Sequence, residues 1–280
     1  MVNLNGTLIS KDQNLFRAGN RAFLYGDQLF ETIRFQKGGL LFWEDHYFRM
    51  MGAACMLRME IPIHLNMDFM EEEILKTIEN NNLSDKKARV RLSLFRADGG
   101  LYKPTYRVLE YLIEVKELET NLLNINTQGL VIDVFHDHLK PIQPLSNIKG
   151  GNSLVSVLSA IYADENNLSE AIILNENSLI CETTASNIFI VKDKVIYTPP
   201  ITSACVEGIV RKKILQHCSV WGYTVKEKEM KSFELIRADE VFLTNSIKGI
   251  QWVEAYKNKK YQNEISSDIL NRLNELSNSS

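Results

Sequence analysis

Alternating apolar and polar residues open the chain. Val2-Asn3-Leu4 and Thr7-Leu8-Ile9 flank Asn5-Gly6, a pair suited to a type I′ turn, and so predict a small hairpin. Residues 29–36 and 40–43 predict a second one, turned by Lys37-Gly38-Gly39. From Glu44 the period lengthens to that of a helix reaching Met59, with Tyr47, Phe48, Met51, Ala54 and Leu57 as its buried side. Met50, Met51, Met56 and Met59 read as core filler. Asn66 is placed to cap a second helix running to about Asn82, where Asp68, Glu71, Glu72 and Glu73 lie near the positive end on a solvated face. Strands follow at 89–96 and 107–115, on either side of the loop 97–106.

The polar stretch 116–128 has little periodicity. It predicts a linker over 117–128 between an N-terminal α/β domain, 1–116, and a C-terminal α/β domain, 129–280. The second half begins with a strand at 130–135, then a glycine-flanked loop, Asn147-Ile148-Lys149-Gly150-Gly151-Asn152, and a helix from 153 to about 166. Strands are expected at 171–174 and 179–191, around the turn Asn175-Glu176-Asn177, and at 195–198, stopped by Pro199-Pro200. A helix over 206–221 closes on Gly222. A strand at 223–228, a short helix at 232–237, a strand at 240–244 and a final helix at 265–276 complete the pattern. The fold class is α+β, in two domains.

Composition narrows the field. The chain has 280 residues, 45% hydrophobic and 24% charged, as in a soluble globular protein, and can bury a sizeable core. A net charge of −3 leaves no basic footprint for nucleic acid. Cys55, Cys181, Cys205 and Cys218 form no Cys-x-x-Cys pair, so reduced thiols and a cytoplasmic location are expected. The N-terminus carries no signal-peptide pattern, and no apolar run is long enough to span a membrane. There is no Gly-x-Gly-x-x-Gly, no phosphate loop ending in Gly-Lys-Ser, no His-Glu-x-x-His and no Gly-x-Ser-x-Gly. His136 and His138 share a strand face without a third ligand, which favours an ordinary polar edge and no metal. Lys149 stands apart, because a lysine on a slim glycine loop can present its amine to an aldehyde and form a Schiff base.

Five further groups of residues stand with Lys149 and Asn152 in the chain. They are Tyr25-Gly26-Asp27 with Phe30-Glu31-Thr32-Ile33-Arg34; His46 with Arg49; Glu182 with Asn187-Ile188-Phe189; Thr198-Pro199-Pro200 leading to Glu207-Gly208-Ile209-Val210-Arg211; and Asp239 through Ser246. Together, and in this order across nearly the whole chain, they resemble the class IV aminotransferase family, the fold-type IV pyridoxal-phosphate enzymes. The resemblance implies pyridoxal 5′-phosphate on Lys149, which then moves protons as base and acid. It implies Glu182 facing the pyridine nitrogen and Arg49 on the phosphate. Gly208, Ile209 and Val210, opening a helix, are implied as the phosphate cradle, with Asn187, Asn245 and Ser246 beside the cofactor. It also implies a homodimer with the cofactor between the two domains of each subunit, closed by loops of the partner. Substrates would be small amines or amino acids.

Within that family three activities compete. Branched-chain aminotransferases usually carry tyrosine where this chain has Leu154, and glycine where it has Thr32. D-amino-acid aminotransferases carry an Arg-x-His pair that 97–104 lacks. The 4-amino-4-deoxychorismate lyases are more similar. Thr32 matches a threonine that assists the lysine, Arg96 with Gly99-Gly100 and Tyr102 resembles their substrate loop, and Asn245-Ser246-Ile247 resembles their phosphate-side motif. Leu101 departs from their pattern, standing where a second arginine is common, so Arg34, Arg96 and Arg107 are the candidates for gripping substrate carboxylates, with Tyr25 also at the substrate. The expectation is a lyase releasing pyruvate and 4-aminobenzoate; the alternative is a transaminase.

Overall fold

The computed structural model describes residues 1–119 and 125–278. Residues 120–124, in the middle of the expected linker, lie outside the described residues. The chain divides into two compact units, Met1–Asn121 with Lys149–Asn152, and Leu122–Ile148 with Ser153–Ser280.

The first unit is built on a six-stranded antiparallel sheet. Its strands are β1 (Val2–Leu4), β2 (Thr7–Ile9), β3 (Gln28–Gln36), β4 (Gly39–Leu40), β5 (Ala88–Arg96) and β6 (Leu109–Glu117), in the order β2-β1-β6-β5-β3-β4. Both hairpins form. Asn5 and Gly6 take φ of 50° and 87°, and Lys37 and Gly38 take 52° and 80°, the positive pairs a type I′ turn requires. Three helices belong to this unit: α1 (Arg21–Tyr25), α2 (Trp43–Met56) and α3 (Met67–Glu79). Asn66 caps α3 by accepting from the Phe69 N–H at 2.9 Å.

Two expectations need correction here. The buried side of α2 is Trp43, His46, Met50, Met51, Ala53 and Ala54, whereas Phe48 is exposed, as is Met56. The helix is turned so that His46 meets a buried carboxylate on β3, a polar demand that apolar periodicity cannot register. The acidic run of α3 is not all solvated either. Glu73 is buried and accepts from Asn3 Nδ2 at 2.6 Å and the Tyr111 hydroxyl at 3.3 Å.

The second unit holds β7 (Leu130–Lys140), α4 (Leu154–Glu165), β8 (Glu170–Asn175), β9 (Ile180–Thr183), β10 (Asn187–Lys192), β11 (Val195–Thr198) and α5 (Ile209–His217). It continues with β12 (Thr224–Glu227), α6 (Phe233–Ile236), β13 (Glu240–Asn245), β14 (Gly249–Tyr256), β15 (Lys259–Lys260) and α7 (Glu264–Asn278). The strands form one mixed sheet in the order β12-β11-β10-β13-β14-β7-β8-β9, with β15 added to β14. Its central strands are buried on both faces, which is why 170–175 and 187–191 read as unbroken buried runs. Ile188, Ile190, Val241 and Leu243 belong to the main core, while Phe189 stacks on Phe242 at 4.9 Å.

Among the elements that differ from the sequence reading, β7 runs to Lys140 rather than 135, the stretch 179–191 forms two strands, β9 and β10, and β15 was not anticipated. α5 begins at Ile209, not 206, since Gly208 takes the extended conformation of an N-cap. β14 was not anticipated; its register shifts between Val253 and Ala255, which breaks the alternation that marks a strand. α1 is only five residues long, too short for a periodic signal.

Candidate functional site

The lysine loop comes first. Residues 149–152 group with the first unit, although the sequence places them in the C-terminal domain. Backbone hydrogen bonding explains the difference. The Phe30 N–H donates to the Lys149 carbonyl at 2.9 Å, the Gly151 N–H donates to the Gln28 carbonyl at 2.9 Å, and Leu29 and Gly150 bridge antiparallel. The loop is thus a short extra strand on the edge of β3, and it carries Lys149 to Phe30. The amine lies 4.4 Å from the centroid of that ring. Two glycines make the fit possible. A Cβ on Gly26 would sit 2.4 Å from Asn152 Oδ1, and one on Gly151 would sit 2.5 Å from Gln28 Cγ.

β3 sorts its side chains onto two faces. Leu29, Glu31, Ile33 and Phe35 point to the core under α2; Phe30, Thr32 and Arg34 lie opposite. Thr32, the expected partner of the lysine, is therefore one step along the strand from the ring that the amine overlies. Arg34 is buried, with Nε donating to Gln36 Oε1 at 3.0 Å, and burial lowers its guanidinium to about 10.

On the core face, Glu31 accepts from His46 Nδ1 at 2.7 Å, Arg49 Nε at 2.8 Å and Arg49 Nη2 at 2.5 Å. Burial alone would raise the Glu31 carboxyl, but the Arg49 and His46 charges outweigh it and hold the group at about 2. Arg49 therefore meets Glu31 with the Nε–Nη2 side of its fork. Burial also lowers His46, whose Nε2 is buried without a partner.

The remaining expected substrate residues separate. Arg96 is buried, with Nε and Nη2 donating to Asp27 at 2.9 and 3.2 Å, Nη2 also to the Leu57 carbonyl and Nη1 to the Arg58 carbonyl. These contacts turn most of the Arg96 guanidinium to Asp27 and to the turn after α2. Arg21 shares Asp27 and donates to the carbonyls of Gly99, Gly100 and Leu101, so the loop 97–106 is folded around it. That loop carries Tyr102, exposed and 5.6 Å ring to ring from Tyr25. Arg107 pairs with Glu60 at 2.7 Å on the surface.

In the second unit Glu182 is buried, not a solvated strand end. Its Oε1 takes Lys140 Nζ at 2.6 Å and its Oε2 takes the Val206 N–H at 2.8 Å. Burial would lower the Lys140 ammonium, and the Glu182 charge turns it upward instead. Asn187 donates to the Val206 carbonyl at 2.8 Å and so ties the same turn to β10. Gly208 then opens α5, and no side chain caps the first-turn amides of Ile209 and Val210. A Cβ at Gly208 would fall 1.9 Å from Asn187 Oδ1. Asn245 spends its side chain on the turn after β13, accepting from the N–H groups of Ile247 and Lys248 and donating to Ser186 Oγ. Ser246 follows it in that turn, half-buried.

Sequence reasoning missed Lys140, Arg89 and Arg91. The Arg91 guanidinium lies 4.0 Å over the Phe30 ring, sharing that ring with Lys149. The available signal was the pairing of 28–36 with 88–96, which sets Arg91 beside Thr32. His136 and His138 are exposed, and among the described residues no group of three or more His, Cys, Asp or Glu side chains is placed to hold a metal ion.

A family model described as "Amino-transferase class IV" matches residues 28–256. The chain belongs to the class IV aminotransferase family. This family member is an enzyme, and its relatives divide by activity. An aminodeoxychorismate lyase of Vibrio harveyi is 31% identical over 236 residues, covering 83% of this chain and 84% of that protein. A putative branched-chain-amino-acid aminotransferase of Methanocaldococcus jannaschii is 28% identical, covering 98% and 94%. Among solved structures, the branched-chain aminotransferase of Thermobaculum terrenum in its PLP form superposes with a TM-score of 0.86 at 19% identity, covering 99% and 94%. That fold is the one described above.

Proposed function

We propose that this class IV enzyme uses pyridoxal phosphate on Lys149 to convert aminodeoxychorismate to 4-aminobenzoate and pyruvate. The residues present suit that cofactor. Lys149 offers an amine; Glu182, held in place by Lys140 and the Val206 amide, offers a buried carboxylate for the pyridine nitrogen; and the uncapped start of α5 with Gly208 suits a phosphate. Bound there, the cofactor supplies an electron sink for the carbon next to the substrate's amine.

The chain's own residues do the rest. Lys149 Nζ takes the proton from that carbon as the neighbouring ring C–O bond to the pyruvate unit breaks and the ring becomes aromatic. Thr32 Oγ1, on the same face, relays it toward the leaving oxygen of the pyruvate unit. Glu31 fixes the plane of Arg49 for the phosphate, and Asn187 and Asn245 shape the two turns from which backbone amides, with Ser246, meet it. Arg34 and Arg91 present cations to substrate carboxylates. The observation that carries the reading is Thr32 beside the Phe30 ring that the Lys149 amine overlies. The V. harveyi lyase supports it from sequence. The second reading, a transaminase, draws on the M. jannaschii relative.

Incubating the purified, cofactor-loaded protein with aminodeoxychorismate should yield 4-aminobenzoate. No product, together with amino transfer to 2-oxoglutarate, selects the transaminase. A wild-type protein without a visible cofactor band removes both.

Gly208→Ala is expected to weaken cofactor binding by roughly ten-fold or more, since the new methyl must displace Asn187 and with it the turn before α5. Equilibrium dialysis against pyridoxal phosphate measures this, and an unchanged affinity would remove the α5 amides from the phosphate site.

A further inference from the structure

One buried carboxylate of the second unit has no part in the chemistry above. Glu170, at the start of β8, is 5% exposed, and among the described residues no cation pairs with it. Its partners are hydrogen-bond donors from one short turn. Oε2 accepts from the Thr183 hydroxyl at 2.5 Å and the Ala185 N–H at 3.3 Å, and Oε1 accepts from the Ser186 hydroxyl at 3.0 Å. A carboxylate is costly to bury unless such bonds offset its lost hydration, so its burial fixes the turn that supplies them. That turn joins β9 to β10, with Glu182 at one end and Asn187 at the other. The bonds continue beyond it. Ser186 has one hydroxyl hydrogen, and giving it to Glu170 leaves the oxygen to accept from Asn245 Nδ2 at 3.1 Å. Asn245 Oδ1 in turn accepts from the N–H groups of Ile247 and Lys248 at 3.0 and 2.7 Å, which sets the turn after β13. The other corner of the first turn is fastened separately. Thr184 Oγ1 accepts from the Ala171 N–H at 3.2 Å and from the Ser159 hydroxyl of α4 at 2.9 Å.

We propose that Glu170 is a positioning residue for the phosphate of the cofactor, acting through Ser186 and Asn245 to hold the turns 183–186 and 245–248 against each other. The inference rests on the reading above that Asn187, Asn245 and Ser246 serve the phosphate, and goes beyond it by naming what keeps their turns in place. The carboxylate is suited to this because it accepts at both oxygens. Glutamine keeps the shape but sets an NH2 group among donors. Turned one way, that group faces the Ala185 N–H and the Thr183 hydroxyl; turned the other, it reverses Ser186 and competes with Asn245 for its oxygen. Either arrangement loosens the 185–186 side, while Thr184 keeps the hairpin fastened to β8 and α4.

The test dialyses the full-length chain, stripped of cofactor, against pyridoxamine phosphate and pyridoxamine, which share the ring and differ in the phosphate alone. Wild type is expected to bind the phosphate form at least roughly a hundred-fold tighter. Glu170→Gln should cut that ratio by about ten-fold, with the affinity for pyridoxamine held within about three-fold. A merely structural Glu170 would weaken both ligands together, or lower the melting temperature alone, and either result overturns the proposal. Ser186→Ala keeps the carboxylate and breaks the link to Asn245, so it should reduce the ratio in the same way. An unchanged ratio in that variant overturns the proposal even where Glu170→Gln does not fold. The double variant should lose no more than the larger single loss, because both act along one chain of bonds; additive losses refute that chain. A wild type indifferent to the phosphate removes the phosphate site itself. A wild type that prefers it, with the ratio unaltered in both variants, removes Glu170 alone and leaves the site standing.

Discussion

A Lys149→Ala protein is expected to lose turnover by a factor of roughly a thousand or more, because both the covalent hold on the cofactor and the proton carrier disappear with the amine. The visible band of the lysine-bound cofactor should vanish with it. Stability should hardly move. The side chain's contact with Phe30 is worth about 1 kcal/mol or less, and the loop is fastened through main-chain bonds at 149, 150 and 151 that alanine retains. The measurements are an absorbance scan, a steady-state rate and a melting curve on one preparation. A small rate loss with the band intact would transfer the chemistry to another residue. A collapse of the melting curve would make the lysine structural, contrary to its place on an edge loop.

How much of this was visible in the sequence depends on the range over which each feature is determined. The turns at Asn5-Gly6 and Lys37-Gly38 and the Asn66 cap depend on two to four neighbouring residues, and they stood out. Apolar strands such as β8 and β10 stood out through composition. Register is different. That Arg89 faces Arg34 and Lys116 follows from the pairing of three strands, and one residue of slip would send it to the other face. Arg96 looked like a substrate arginine by its place in the chain. Its use as a clamp on Asp27 depends on α1 and on the turn after α2, which no local pattern specifies. Lys140 likewise acquires its meaning only when β7 and β8 bring it to the buried Glu182. The grouping of the lysine loop with the first unit has no local signal, since its partners 28–30 lie well over a hundred residues upstream.

Glu31 carries the second large effect. Replacing it with alanine should cost about 3–5 kcal/mol, because His46 and Arg49 would keep their burial and lose their common acceptor. Glutamine in its place keeps the volume and isolates the charge. The folded carboxyl sits at about 2 against 4.5 for the free side chain, so between those values the unfolded chain takes up a proton that the folded chain refuses. Stability from this group is therefore complete above pH 4.5 and drains away as pH falls toward 2, by on the order of 3 kcal/mol. Urea unfolding of wild type and Glu31→Gln between pH 3 and 6 (with denaturant midpoints as the readout) should show the gap between the two narrowing as acid is added. A constant gap would mean that the carboxylate is not what the folded state protects. The same variant bears on the site. With Glu31 neutral, Arg49 loses the partner that fixes its guanidinium plane, and cofactor affinity should fall at pH 7, where the fold itself survives. Lost stability with unchanged cofactor affinity would assign Arg49 to the core of the first unit and remove it from the phosphate.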